Sequence, residues 1–217
     1  MQIIWLGHSC FQIITSQGKG EQVTIVIDPF NEELGLKVPG VAADIVISSH
    51  DHHDHNNVKT IKGSPFIIES PGEYDIKGVY IQGISAFHDK VQGKERGRVT
   101  LFTLEAEEMK VCHLSDLNQQ ELSEDQLEKV GQVDILMVPV GGTYTLDAQG
   151  AAKVISQIEP KIVIPMHYQV PKIKVKLEDL EKFLKVMGQK SLESQPKLTI
   201  KKKDLPEEGM NVIVLKS

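Results

Sequence analysis

A run of histidines and aspartates, SSHDHHDHNN at residues 48–57, constrains this chain more than any other sequence feature. Within it, the pattern H-x-H-x-D-H places His50, His52, Asp54 and His55 together. Several imidazoles on one short segment gain nothing as core residues, because burial would leave their nitrogen atoms in need of partners. A solvated loop with incidental histidines is the alternative. The run predicts a metal site.

Imidazole and carboxylate ligands together suit zinc, manganese or iron. Side chains two residues apart in an extended segment share one face, so we expect His50 and His52 to bind one ion. A turn after Asp54 would direct Asp54 and His55 to a second ion. The remaining histidine of the run, His53, is expected to point away.

The sequence predicts strands in the first half of the chain and alternating strands and helices in the second half. Strands such as IIWLG, FQIIT and VTIVID fill the first half, and the Gly-rich turn SQGKGEQ is expected to join the second and third. In the second half, Ser123 and Gln126 form a capping-box pattern before a helix that ends at Gly131. Asp147 is expected to cap a helix reaching about Ile158. LEDLEKFLKVMG reads as a third helix, and KLTIKK and NVIVL as closing strands. These patterns predict one mixed α/β (α+β) domain over 1–217, with helices outside the sheets.

Three further metal-ligand candidates each follow a predicted strand. His88 comes after VYIQGISAF, Asp116 after MKVCHLS, and His167 after KIVIPM. Ligand sites in layered α/β proteins lie beyond the carboxyl ends of strands. A hydrogen-bonded structural histidine or a helix-capping aspartate is the alternative for any one of them. Their common position favours ligands that complete the site.

Composition narrows the functional classes. The net charge of −6 and pI near 5.8 argue against broad nucleic-acid binding. No apolar run approaches the ~20 residues of a membrane span, and MQIIWLGHSCF reads as a first strand, not a signal peptide. Cys10 and Cys112 are expected to be buried thiols rather than a disulfide. We therefore expect a cytoplasmic protein with a small-molecule partner. A homo-oligomer is left open.

With these motifs in place, the chain resembles the metallo-β-lactamase-fold hydrolases, in the compact branch similar to ascorbate-6-phosphate lactonase-like proteins. The matching segments span nearly the whole chain and are GHSCF, VTIVID ending at Asp28, HDHHDH, SPGEY, FHD, HLSD and PMHY. The resemblance implies a four-layer αβ/βα sandwich with a dinuclear site at one edge of its two sheets.

The resemblance also implies roles for individual residues. The first ion would be bound by His50, His52 and His88, the second by Asp54, His55 and His167, with Asp116 bridging them. Asp54 and Asp116 would thus be the catalytic carboxylates. Asp28 would orient the ligand loop, although a plain strand exit before Pro29 is the alternative. His113 is expected to support the site or to be structural. The implied cofactors are two divalent ions, zinc first, with Mn²⁺ or Fe²⁺ as alternatives.

Such a site would direct a hydroxide onto a small ester, lactone or phosphoester. Beyond His88, the basic segment DKVQGKERGRV is either a solvated hairpin or a cationic rim for an anionic substrate. In the second case Arg96 or Arg98 would bind a phosphate or carboxylate. Tyr168 and His8 are further candidates for substrate contact, with a core role as the alternative for His8. Two other functions remain open, a phosphodiesterase or nuclease acting on nucleotides and a non-catalytic metal-binding scaffold or regulator.

Overall fold

Two β-sheets share one hydrophobic core. The protein is described here by a computed structural model, which covers residues 1–17 and 20–217. The strands are β1 (Gln2–Gly7), β2 (Cys10–Gln17), β3 (Glu21–Ile27), β4 (Ile45–Ile47), β5 (Phe66–Ile68), β6 (Gly72–Ile76), β7 (Val79–Phe87), β8 (Arg98–Ala106), β9 (Met109–His113), β10 (Ile135–Pro139), β11 (Ile162–Met166), β12 (Leu198–Thr199) and β13 (Asn211–Val212). The α-helices are α1 (Glu124–Val130), α2 (Ala148–Ile158) and α3 (Leu180–Val186).

Each of the two sheets contains both parallel and antiparallel strands. The first sheet runs β12-β1-β2-β3-β4-β5, and β3, β4 and β5 are parallel. The second runs β13-β11-β10-β9-β8-β7-β6, and β9, β10, β11 and β13 are parallel. Antiparallel pairing of Gln17 with Glu21 agrees with the predicted hairpin, whose tip at residues 18–19 lies outside the described residues.

Burial follows the two kinds of strand. In β1 the residues alternate, and Ile3 and Trp5 point into the core shared by the sheets. Every residue of β10 and β11 is buried, because these parallel strands are covered on both faces. Burial of each aliphatic side chain contributes about 1.5–3 kcal/mol to the free energy of folding. Packing on both faces therefore fixes the positions of β10 and β11 and of the loops that follow them.

The predicted helix starts are confirmed for α1 and α2. Ser123 Oγ accepts from Gln126 N (3.3 Å), and Gln126 Oε1 accepts from Ser123 N (2.9 Å), so the capping box is complete. Asp147 accepts from Gly150 N at 2.8 Å and caps α2, which ends at Ile158.

The third helix and the closing strands are shorter than predicted. Leu177 N donates to Gln169 Oε1 and Glu178 N donates to Gly141 O, so both residues are held outside α3, which begins at Leu180. KLTIKK and NVIVL supply two strand residues each, in β12 and β13.

The outer face of the first sheet is covered by loops and 3-10 turns. Cys10, Val26 and Val46 pack there against Phe30, Leu34, Ile61, Ile173 and Leu177. The covering segment after β3 makes only a 3-10 turn, Glu32–Leu34, which Gly35 ends in a left-handed conformation. Prolines and glycines in DPFNEELGLKVPG thus prevent a longer helix on this side. The predicted fold class, mixed α/β with two sheets inside outer layers, is confirmed, although the outer layer of the first sheet consists of loops and 3-10 turns instead of the expected α-helices. None of the helices in the described part of the chain is long and apolar enough to cross a bilayer.

Candidate metal centre

The predicted metal ligands from both sheets meet at one edge of the fold. His88 directly follows β7, Asp116 lies three residues after β9, and His167 directly follows β11. The histidine-rich loop, residues 50–55, follows β4 of the other sheet. The structure therefore brings together segments that are more than a hundred residues apart in the sequence, as the strand-end argument predicted.

A first cluster of donors consists of His50, His52 and His88. One nitrogen of each lies within 4.8 Å of one nitrogen of the others, and His50 Nε2 is 3.0 Å from His52 Nδ1. Burial lowers the pKa of His50 to about 3 and the pKa of His88 to about 4. All three pKa values are depressed, so the rings are neutral at pH 7 and their lone pairs are available to a cation.

A second cluster consists of His8, His55, Asp116 and His167, whose donor atoms also lie within 4.8 Å of one another. Asp116 Oδ2 is 3.2 Å from His55 Nε2, 3.2 Å from His167 Nε2 and 3.8 Å from His88 Nε2. This one oxygen therefore adjoins both clusters. Burial opposes the ionised form of Asp116, but His167 and His55 outweigh it and hold the carboxyl pKa well below its usual range.

Asp28, expected to orient the ligand loop, contacts Ser49 and His55 of that loop. Its carboxylate accepts from Ser49 N and Ser49 Oγ, both at 2.7 Å, and lies 3.1 Å from His55 Nδ1. Because an ionised carboxylate only accepts, His55 Nδ1 carries the proton and Nε2 is directed into the site. Among the described residues His55 Nε2 is buried without a hydrogen-bond partner, and Asp116 Oδ2 lies 3.2 Å away as a charged neighbour. Such an orphaned imidazole nitrogen fits a metal ligand.

Serine hydroxyls orient His50 in the same way. Ser49 Oγ gives its one proton to Asp28 and accepts from Ser115 Oγ at 2.6 Å. His50 Nδ1, at 3.0 Å, must therefore donate to Ser49 Oγ. The opposite nitrogen, Nε2, is left facing the first cluster. Both imidazoles thus present Nε2 to the site through one shared hydrogen-bond network.

Asp54 and His8 are arranged differently from the sequence-based expectation. Asp54 stands outside the second cluster, with its Oδ2 3.6 Å from His55 Nε2 and 3.1 Å from His8 Nε2. The turn that carries it begins earlier than predicted, since His55 N donates to His52 O. His8 is buried, with its ring centroid 4.1 Å from that of His167.

His8 is thus a possible metal ligand that sequence reasoning considered only for substrate contact or for a core role. Burial is the main reason that its pKa falls to about 4. The signal that could have revealed it is its place directly after the carboxyl end of β1, the position shared by the other strand-end candidates.

His113 lies outside both clusters and supports the loop that carries Asp116. Its Nε2 donates to Ser9 O at 2.9 Å, and its Nδ1 accepts from Ser115 N at 3.1 Å. Ser9 Oγ in turn donates to Asp116 Oδ1 at 3.2 Å. The ring is neutral, since burial lowers its pKa, and both nitrogens are already occupied within the protein.

A pocket of about 320 Å³ opens onto the two clusters, a size suited to a small ligand. Arg96 lines it, as the cationic-rim hypothesis predicted for one of the two arginines. Tyr144, which sequence reasoning did not single out, lines it too. The complete lining is His52, His53, Asp54, His88, Arg96, Asp116, Tyr144, His167 and Val175.

Two predicted substrate contacts require correction. Arg98, the first residue of β8, donates to Ser85 Oγ at 3.2 Å and lines a separate pocket beside α1. Tyr168 is buried; its ring lies 5.0 Å from that of Trp5, and its hydroxyl donates to Leu215 O. Neither residue lines the pocket at the two clusters.

A larger groove of about 830 Å³ lies at the amino ends of β9, β10 and β11, away from the clusters. Four of its charged residues form two ion pairs, with Lys110 at 2.9 Å from Glu105 and Lys202 at 2.9 Å from Asp134. The described lining of this groove contains no histidine, so size alone does not make it a site for the chemistry.

Comparison with known proteins gives a family and a fold for this chain. Residues 2–167 match the family described as "Beta-lactamase superfamily domain". A UPF0173 metal-dependent hydrolase of Thermococcus onnurineus is 27% identical, over 88% of this chain and 94% of its own. A UPF0173 protein of Pyrococcus abyssi is 31% identical, over 77% and 83%.

Among solved structures, a Thermotoga maritima protein described as a Zn-dependent hydrolase of the metallo-beta-lactamase superfamily is 36% identical. It superposes with a TM-score of 0.78, over 99% of each chain.

Proposed function

The chain belongs to the metallo-β-lactamase superfamily as a metal-dependent hydrolase, and we propose that it uses two adjacent divalent ions to hydrolyse a small ester, lactone or phosphoester. Zinc is the proposed metal, since three imidazoles in one cluster and imidazoles with carboxylate in the other are borderline ligands that suit it.

The observation that carries this proposal is the position of Asp116 Oδ2 between the two clusters. It is 3.8 Å from a donor of the first cluster and 3.2 Å from two donors of the second. A carboxylate in that position can bridge two cations, and its ionised form is the one that the site stabilises. Without cations, the same arrangement would gather several imidazoles around one acceptor for no structural gain.

The remaining donors divide between the two ions. His50, His52 and His88 would hold the first ion. His55 and His167 would hold the second, and Asp54 would complete it, with His8 Nε2 holding the Asp54 carboxylate at 3.1 Å. His55 and His50 donate from Nδ1 to Asp28 and Ser49, which orients both rings before any ion arrives and reduces the cost of ordering the site. Although burial opposes it, Asp116 and Asp28 raise the pKa of His55, so binding of an ion there would release the proton from Nε2.

The two clusters would hold divalent ions, which would supply Lewis acidity and activate a water for attack near neutral pH. The residues of the chain supply position and exclusion. Burial of His55, Asp116 and His167 keeps bulk water from one side of the site, while the pocket admits substrate from the other. Its volume of about 320 Å³ favours a small molecule over a polymer.

The test combines metal analysis with an activity panel on two matched variants. Asp116→Asn keeps the shape of the side chain but removes its charge, and Asp51→Asn makes the same change at an exposed position of the histidine-rich loop outside both clusters. We expect two ions per chain in the wild type and in Asp51→Asn, and loss of at least one in Asp116→Asn.

Turnover is measured on lactones, carboxylic esters, phosphomonoesters and cyclic nucleotides. The proposal expects metal-dependent hydrolysis within the first three classes, abolished by Asp116→Asn and retained by Asp51→Asn. Turnover confined to cyclic nucleotides would instead support a phosphodiesterase. A fully metallated protein inert to every class would contradict the hydrolytic proposal and support a scaffold.

A further inference from the structure

The loop between β7 and β8, residues 88–97, is folded around the carboxylate of Asp89. Asp89 Oδ1 accepts from Val91 N at 2.9 Å and from Gly93 N at 2.7 Å. Asp89 Oδ2 accepts from Glu95 N at 3.0 Å and from Arg96 N at 2.8 Å. One buried side chain therefore satisfies four backbone donors of a loop that is otherwise exposed.

Backbone hydrogen bonds close the same loop onto a proposed metal ligand. His88 N donates to Gly97 O at 3.1 Å, and Gly97 N donates to Gly93 O at 3.1 Å. Gly93 has φ of +80°, and a Cβ on it would lie 3.0 Å from Gly97 O, so only glycine fits this close approach. The loop is thus a closed frame whose position relative to His88 is set by its own backbone.

This frame delivers the Arg96 side chain to the pocket. Arg96 Cζ lies 4.3 Å from the centroid of the half-buried Tyr144 ring, within the range of a cation–π contact. Within the described part of the chain Arg96 makes no ion pair, although it is an exposed cation beside His52 and His88. Its backbone is fixed, one face of its guanidinium is covered, and its donors are left for a ligand.

We propose that Arg96, backed by Tyr144, binds an oxyanion of the substrate, a carboxylate or phosphate group, and that Asp89 is the residue that positions it. The inference rests on the proposed hydrolase function, since it places the anion beside the scissile bond in the same pocket. A guanidinium recognises such groups with two parallel hydrogen bonds, so its orientation matters as much as its charge. Four hydrogen bonds to Asp89 fix the backbone that carries Arg96, and the Tyr144 ring orients the guanidinium, before the substrate binds.

The first experiment measures anion binding without turnover. Inorganic phosphate is titrated into the metal-loaded wild type, Arg96→Gln and Arg98→Gln by calorimetry. Arg98 is the matched control, because it is an exposed arginine two residues away that lies outside the pocket. We expect the phosphate Kd to rise about tenfold in Arg96→Gln and to change less than twofold in Arg98→Gln. Equal effects in both variants, or none in Arg96→Gln, would overturn the proposal.

The second experiment tests whether Asp89 acts through Arg96. Asp89→Asn places an amide against backbone N–H groups, so we expect KM for an anionic ester to rise about as much as in Arg96→Gln, while KM for its neutral analogue stays within twofold. In the double variant KM should match Arg96→Gln alone, because the two residues then serve one contact. Additive effects, or an equal loss on the neutral ester, would show a merely structural role for Asp89.

Carboxylate and phosphate arms identify the anion. KM is compared for two esters of equal length, one with a carboxylate and one with a phosphate group. The anion that Arg96 recognises is the one whose ester shows the larger rise in KM in Arg96→Gln. Failure of the hydrolase proposal would appear as no turnover with any ester, yet the calorimetric comparison would still test Arg96. Failure of the present inference would appear as metal-dependent turnover and phosphate binding that are unchanged in Arg96→Gln.

Discussion

Replacing Asp28 by asparagine tests how far the metal centre depends on a residue that touches no substrate. The Asp28 side chain is fully buried and has three donors, Ser49 N, Ser49 Oγ and His55 Nδ1. Asparagine has nearly the same shape, and it tolerates the φ of +50° found there, so the substitution adds no backbone strain. What changes is the charge and one of the two acceptors.

The magnitude follows from those contacts. If the amide oxygen keeps the bond to Ser49 N, the amide nitrogen faces two donors, Ser49 Oγ and His55 Nδ1. A hydrogen bond to a charged group contributes about 1.5–3 kcal/mol, and the Ser49 hydroxyl can rotate to another acceptor. We therefore expect unfolding free energy to fall by about 2–4 kcal/mol. Loss of a ligand's orienting partner should also weaken metal affinity about 10- to 100-fold.

Two assays measure these effects. Chemical denaturation at pH 7 of the metal-free proteins gives the unfolding free energy, and competition with a chelator gives the metal Kd. Asp51→Asn serves as the control, since Asp51 is exposed on the same loop. A loss below about 0.5 kcal/mol together with unchanged metal affinity would refute the argument that Asp28 holds His55, because surface substitutions already vary within that range.

Three other outcomes are expected. Glu107 accepts from the Met1 amino group, Thr15 Oγ1 and Ser16 N, so Glu107→Gln should lower unfolding free energy by about 1–2 kcal/mol at pH 7, and exposed Glu108→Gln by much less. Although burial opposes its charge, these donors hold the Glu107 pKa below its ordinary value of 4.5. The stabilisation is therefore full above pH 4.5 and is lost as pH falls through the lowered pKa. The unfolding free energies of the wild type and Glu107→Gln should accordingly converge in acid. Cys10 and Cys112 are free and buried, and burial raises both thiol pKa values, so a thiol reagent should label the native chain hardly at all and label both thiols in denaturant. Adding Zn²⁺ at 100 times its Kd should stabilise the folded state by about 2.7 kcal/mol per independent site, read as a chelator-reversible rise in Tm.

Local patterns predicted most of the elements because local chemistry decides them. The capping box and glycine stop of α1 and the cap of α2 each lie within a few residues, and the structure confirms them. The start of α3 could not be predicted, because Leu177 and Glu178 are held by Gln169 and Gly141, which lie outside the predicted helix. The cover on the outer face of the first sheet could not be predicted either, because it is formed by contacts between residues from several loops.

The candidate site shows the same division. Placing ligands at strand ends predicted that His88, Asp116 and His167 meet the histidine-rich loop, since strand order alone brings those ends together. It could not separate Arg96 from Arg98, whose directions depend on the loop around Asp89. Nor could it show His8 beside Asp54. His8 lies in the turn between β1 and β2 and Asp54 in the loop between β4 and β5, and only the folded first sheet brings the two together.

The most direct test of two adjacent ions is a crystal structure of the zinc-loaded protein with anomalous data at the zinc edge. We predict two peaks roughly 3.5–4 Å apart, one bound by His50, His52 and His88 and the other by His55 and His167, with Asp116 between them. Zinc–nitrogen distances should be about 2.0–2.1 Å. A single peak, or peaks at other residues while these imidazoles stay unligated, would contradict the account.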